Sequence, residues 1–89
     1  MAVLLERRWV VSVLWASYEG AVRFNEFKQA VGAIPPRTLV QRLVELEEAG
    51  VLVRLVIDAR PPRVEYRLTD EGQRLRHIVD AVSSYAATR

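Results

Sequence analysis

Between Pro36 and Gly50 the chain carries a pattern that admits little besides a helix, and the segments on either side must accommodate it. Leu39, Leu43 and Leu46 recur at helical spacing and line up as one stripe to be buried against a core. Pro36 suits the first helical turn, where a missing N–H leaves nothing unsatisfied, and Gly50 suits the left-handed position just past the end. At about 100° per residue, the face turned away from the leucines carries Arg37, Thr38, Gln41 and Val44, with Glu45, Glu47 and Glu48 falling later. Cations first and anions last is the unfavourable order for the helix dipole, so helix stability does not account for it. A polyanion docking at the N-terminal half does, and this is the geometry of a helix entering a DNA major groove, where Arg and Gln can read base edges.

A chain of 89 residues makes a single domain over 1–89, with a core only just sufficient for a monomer, so a partner chain is expected. The absence of cysteine excludes a disulfide framework, a thiolate zinc site and a thiol switch. In MAVLLERR the charges follow a short apolar run, the wrong order for a signal peptide, and no apolar run approaches a membrane span; the expected location is the cytoplasm. The net charge is +2, but of thirteen basic residues only Lys28 is a lysine. Arginine favours planar, bidentate contact with phosphate or guanine. A GC-rich or thermophilic genome gives the same bias.

Taken in order, Val3 to about Tyr18 reads as one helix of roughly four turns, with Leu4, Leu5, Trp9, Val10, Val13 and Leu14 at helical offsets and Gly20 as its stop. Trp15 lies outside the main stripe. Val22-Arg23-Phe24 is at most an edge strand, and Asn25 is the expected N-cap of a short helix from Glu26 to Val31. Gly32-Ala33-Ile34 then connects tightly into the Pro36 helix. Two helices joined by a short Gly-containing turn, the second with a polar outer face, are a helix-turn-helix.

After Gly50, Val51, Val53, Leu55 and Ile57 alternate, as do Val64, Tyr66 and Leu68, with Glu65 and Arg67 pointing the other way. The turn Ala59-Arg60-Pro61-Pro62, closed by Arg63, is stiffened by its prolines and is the expected wing. Thr69 caps a last helix, with Asp70 and Glu71 in its first turn, and Leu75, Ile78, Val79, Val82, Tyr85 and Ala86 make a continuous stripe to the C-terminus. The apolar surplus on the first and last helices marks Leu4, Leu5, Trp15, Val79, Val82 and Tyr85 as the expected homodimer interface. His77 reads as a surface residue without a metal-binding companion. No nucleophile and base pairing or phosphate-cradling loop is visible, so neither an enzyme nor a cofactor site is expected, and no effector is legible.

The order of elements and the segments RRW, GAVRFNEF, GAIPPRTLVQRLVELEEAGVLVR and PPRVEYRLTDEG resemble the HxlR-type winged helix-turn-helix regulators, relatives of the MarR group, from about Arg8 to Tyr85. The resemblance implies a mainly α fold with a small β-hairpin: a three-helix core, a wing and a long C-terminal helix. It implies a homodimeric bacterial or archaeal transcription regulator on an inverted-repeat operator of double-stranded DNA. By position, the recognition helix begins at Pro36 and presents Arg37, Thr38, Gln41 and Arg42, while Arg60 and Arg63 belong to the wing. Arg42 has a second option, pairing with Glu45 three residues along. The chain departs from the family in lacking the cysteine that many members carry ahead of the first helix, and in having Pro35 and Val40 where serine or threonine is common. The alternative reading is a winged-helix module that docks a protein partner through the Pro36 helix.

Overall fold

The computed structural model describes the backbone of residues 2–81 and the side chains of residues 4–81. The chain opens on two helical pieces where the apolar spacing predicts one: α1 spans Ala2–Leu5 and α2 spans Val10–Tyr18. The break falls at Trp9, whose φ of 77° is left-handed, so the helical ladder cannot pass through it. The Arg7 N–H turns back to the Leu4 carbonyl (3.1 Å), and the Trp9 carbonyl receives the Val13 N–H (2.9 Å). Between them the Arg8 carbonyl accepts a hydrogen bond from Arg42 Nε at 2.9 Å. A side chain distant in sequence thus satisfies the group that the break leaves over.

Helix α3 spans Phe24–Val31, two residues longer at its start than the Asn25 cap predicts. Its N-terminus is closed by Glu26, whose Oε1 accepts from the backbone N–H groups of Val22 and Arg23, each at 2.9 Å. A carboxylate reaching back over the first turn answers two orphan donors at once, which leaves Asn25 inside the helix and without a capping role. Residues 22–24 form no strand; their link to the later sheet is one hydrogen bond, from the Tyr66 N–H to the Val22 carbonyl (2.7 Å).

Helix α4 spans Pro36–Glu48, with Pro35 at the N-cap and no side-chain cap. It ends as the Gly50 signal predicts. Gly50 is left-handed (φ 77°), its N–H bonds to the Glu47 carbonyl (3.0 Å), and the Val51 N–H bonds to the Leu46 carbonyl (2.9 Å), the Schellman arrangement. Leu39, Leu43 and Leu46 are fully buried and meet Val10, Val13 and Leu14 of α2, Phe27 of α3 and Ile34 of the connecting turn in one cluster. Helices α2, α3 and α4 form the three-helix core, with α3, residues 32–35 and α4 as the helix-turn-helix.

Strands β1 (Leu52–Ile57) and β2 (Arg63–Leu68) pair antiparallel, with Leu52 opposite Leu68, Arg54 opposite Tyr66 and Leu55 opposite Glu65. Opposed residues share a face, so this register corrects the sequence reading. Leu52, Tyr66 and Leu68 pack against the core, whereas Val53 and Leu55 point away from it, on the face that carries Arg63, Glu65 and Arg67. The stripe 51/53/55/57 therefore breaks after Val51: Leu52 takes the buried position, and Val53 and Leu55 are exposed. Arg63, expected to close the turn, is the first residue of β2, opposite Ile57.

Thr69 caps α5 (Asp70–Arg74) as predicted, its Oγ1 accepting from the Gly72 N–H (3.1 Å) while donating toward the Gly50 carbonyl (2.6 Å). Gly72 lies flat against the Val51 carbonyl, where a Cβ would collide, and its own carbonyl accepts from the Tyr18 hydroxyl (2.8 Å). After a turn at Leu75 the chain is helical again over residues 76–81. Leu75 and Val79 enter the core. Val79 is fully buried in the core, so it has no surface to offer a partner; its neighbour Ile78 is half-exposed. Val82 and Tyr85, also expected at the interface, lie outside the described residues. The architecture is mainly α with a two-stranded hairpin, a winged helix-turn-helix.

Candidate nucleic-acid interface

Burying the leucine stripe fixes what α4 shows to solvent. Arg37 and Gln41, one turn apart, are both exposed, and neither has an intramolecular side-chain partner among the described residues. Pro36 is exposed at the first turn, Val44 is partly exposed further along, and Val40 stands half-exposed on one flank. Thr38 is half-buried on the other flank, in a cleft shared with Arg8, Trp9, Ala33, Pro35 and Arg42.

Arg42 behaves differently from its neighbours. Its side chain is only 11% exposed; Nε is held by the Arg8 carbonyl and Nη1 lies 3.0 Å from Glu45 Oε1. Glu45 Oε2 also receives Arg7 at 3.4 Å. Of the two options open to Arg42 in the sequence, the structure shows the ion pair, and it adds the bond across to Arg8. Sequence reasoning missed that second contact because nothing local signals it.

In the hairpin, Arg60 sits exposed in the tip between the strands, before Pro61 and Pro62. Arg63 is committed to Glu65, Nε to Oε2 at 3.2 Å, and Arg67 holds the other oxygen, Oε1, at 2.9 Å. Glu65 is itself nearly covered, at 5% exposure. The hydrogen bond from Arg67 holds its carboxyl below the usual carboxylate range, with help from Arg63 and against the opposing pull of burial. Glu26 is likewise lowered, by its two backbone N–H donors. The Arg63–Glu65–Arg67 triad went unread as a cluster although its signal was present: residues two apart on a strand share a face.

On the surfaces expected to meet a second subunit, Leu4 and Leu5 are half-buried against the core and Trp15 is 38% exposed. Among the described residues no group of His, Cys, Asp and Glu could hold a metal ion, and no described helix is long and apolar enough to cross a membrane.

A helix-turn-helix with an open polar face, followed by a hairpin wing, defines the winged helix-turn-helix class. Within it, residues 4–89 match the model of the HxlR-like helix-turn-helix family, and the chain belongs to that family. It is 40% identical over 83 residues to YvaP of Bacillus subtilis (strain 168), named an uncharacterized HTH-type transcriptional regulator, an alignment covering 93% of this chain and 77% of that protein. It is 36% identical to YtfH of Escherichia coli (strain K12), named in the same way, over 88% of this chain but 62% of YtfH; the chain thus spans about three fifths of several curated relatives it matches. Among solved structures, the redox regulator HypR in its oxidized form superposes with a TM-score of 0.87 at 32% identity, over 97% of this chain and 89% of that one. The relatives are named as regulators, not enzymes. No thiol switch can be built from these 89 residues, which contain no cysteine.

Proposed function

We propose that this chain is a homodimeric transcription regulator that binds an inverted-repeat operator in double-stranded DNA, with α4 in the major groove and the hairpin on the backbone or the adjacent minor groove. The observation that carries this reading is the outer face of α4: Arg37 and Gln41 exposed, one turn apart, and without intramolecular partners among the described residues. A groove-reading helix needs unengaged donors and acceptors at its N-terminal half, and bidentate contacts from Arg and Gln distinguish base pairs. Arg60 at the wing tip supplies affinity with little discrimination.

Homodimerisation is supported by apolar side chains that the protomer leaves in solvent, Trp15 on α2 and Ile78 on the last helical segment, and by Leu4 and Leu5, which the core covers only in part. Ile78 takes the place that the sequence reading gave to Val79. Two such helices one DNA turn apart imply half-sites about ten base pairs apart, centre to centre. A DNA-bound regulator of a bacterium or archaeon works in the cytoplasm.

The test is selection of bound fragments from sheared genomic DNA, followed by footprinting and sedimentation equilibrium of the protein. The expected result is a symmetric footprint at an inverted repeat and a dimer at micromolar concentration. A clean monomer, or no fragment enriched above random DNA, counts against the reading.

A further inference from the structure

We propose that Arg8 is a third DNA-contacting element, binding a backbone phosphate at the flank of α4. This rests on the reading that α4 enters the major groove.

A helix with its side chains is about 10–12 Å across and the major groove is about 12 Å wide, so a helix seated there has its flanks against the two sugar-phosphate walls. At about 100° per residue, Arg37 and Gln41 point to the groove floor, while Thr38, Arg42 and Glu45 form one flank. Whatever borders that flank near the start of the helix meets a phosphate wall. What borders it is Arg8 and Trp9, which with Pro35 and Thr38 line a cleft of about 460 Å³.

Two arginines approach this cleft, and they are held in opposite ways. The guanidinium of Arg42 points inward, 11% exposed, bound to the Arg8 carbonyl and to Glu45. It fixes the backbone of residue 8 against the recognition helix and has little reach left for an external anion. Arg8 is exposed, has no carboxylate within ion-pair distance among the described residues, and carries its guanidinium over the Trp9 ring at 5.1 Å from the centroid. Its neighbour Arg7, by contrast, is engaged with Glu45. A guanidinium lying on an aromatic ring keeps its N–H edges free while losing rotamer freedom, so it is partly organised for a phosphate before one arrives. The left-handed backbone at Trp9 is what turns residue 8 to the α4 side, carbonyl toward Arg42 and side chain toward the cleft. Arg42 is therefore a positioning residue and Arg8 the contacting one.

The experiment is fluorescence anisotropy of a labelled duplex of scrambled sequence, titrated at several salt concentrations with the wild-type chain, Arg8→Ala, Arg8→Lys, Arg37→Ala on α4, and Arg74→Ala as a charge-matched control on α5. The slope of log affinity against log salt should flatten by about 0.9 per bound protomer in Arg8→Ala, since one phosphate contact is lost. Between about 0.05 and 0.2 M salt the deficit of this variant should then shrink by about threefold per protomer. Arg8→Lys should keep the wild-type slope, and Arg74→Ala should stay close to it. An Arg8→Ala slope equal to wild type, while Arg37→Ala flattens it, overturns the role of Arg8 and leaves the α4 reading standing. Equal flattening in Arg8→Lys or in Arg74→Ala also overturns it, because the loss then comes from backbone distortion or bulk charge. Salt-independent behaviour of the wild-type chain removes the α4 reading itself.

Discussion

Helix α4 and the β1–β2 hairpin both present arginine beside apolar side chains, yet they handle both kinds of residue differently. On α4 the apolar stripe is fully buried, and Arg37 and Gln41 on the opposite face stand without intramolecular partners among the described residues. On the hairpin three apolar residues of β1, Val53, Leu55 and Ile57, share the face turned away from the core, and Arg63 and Arg67 close on Glu65. The difference teaches that charge written in a sequence is not charge available to a ligand. A helix can separate a buried side from an exposed polar side, while a two-stranded ribbon has to stabilise its own outer face, and in this protein it does so with an ion triad opposite apolar residues.

The most forceful way to break this comparison is to truncate one leucine on each element. Leu43 on α4 is fully buried, so Leu43→Ala should lower the unfolding free energy by about 2–5 kcal/mol, through lost transfer energy and the cavity left behind. Leu55 on β1 is 38% exposed and shares its face with Glu65, so Leu55→Ala should cost about 1 kcal/mol or less. Urea denaturation of the two variants side by side measures the gap. Equal losses would mean that the hairpin buries the face carrying Leu55, with β1 and β2 paired one residue away from the Leu55–Glu65 register.

A second contrast concerns DNA. Gln41→Ala and Arg37→Ala should each weaken operator binding by roughly 1–3 kcal/mol and scrambled duplex by less, narrowing the specificity ratio. On the hairpin, Arg60→Ala should weaken both duplexes about equally and flatten the salt slope by about 0.9 per protomer. Arg63→Ala should do less than Arg60→Ala, because the Arg63 guanidinium is already bound to Glu65. Competition titrations with operator and scrambled duplexes at two salt concentrations read all four variants. Wing variants that lose discrimination while the helix variants keep it would reverse the roles assigned to the two elements.

Legibility followed the same division. The ends of α4 were readable because Pro36, Gly50 and the leucine spacing are local signals, and so was the Thr69 cap, whose partner is the nearby Gly72 N–H. The break at Trp9 was not readable, since the bond that completes it comes from Arg42 on another helix. Nor was the requirement for Gly72, which is set by the Val51 carbonyl pressed against it from the end of α4. In the hairpin, period two announced two strands but not which face each stripe would take. The register decides that, and it places Leu55 opposite Glu65. At the candidate interface Arg37, Gln41 and Arg60 are exposed, as their positions in the sequence suggest, but nothing in the sequence shows that Arg42 turns inward while Arg8 does not.

The finest distinction between the two regions is acid sensitivity, and it turns on Glu65. Arg67, then Arg63, hold its carboxyl below the ordinary range, so the folded protein binds the proton less readily than the unfolded chain does. A group depressed in this way contributes stability that is present above its unfolded pKa, about 4.3, and is lost as pH falls through the folded value. Glu26 carries the same sign through the Val22 and Arg23 N–H groups, so replacing Glu65 alone should remove only part of the acid dependence. Glu65→Gln is therefore expected to lose stability at neutral pH and to show a shallower decline than wild type between about pH 5 and 3. The same substitution frees two guanidinium groups on the wing, so its salt slope on duplex DNA should steepen, opposite in direction to Arg60→Ala. Thermal melts across that pH range, paired with anisotropy titrations at neutral pH, measure both effects. An acid profile identical to wild type would show that the triad adds nothing to stability; a slope that flattens would show that Glu65 holds Arg63 and Arg67 in the posture that contacts DNA, not away from it.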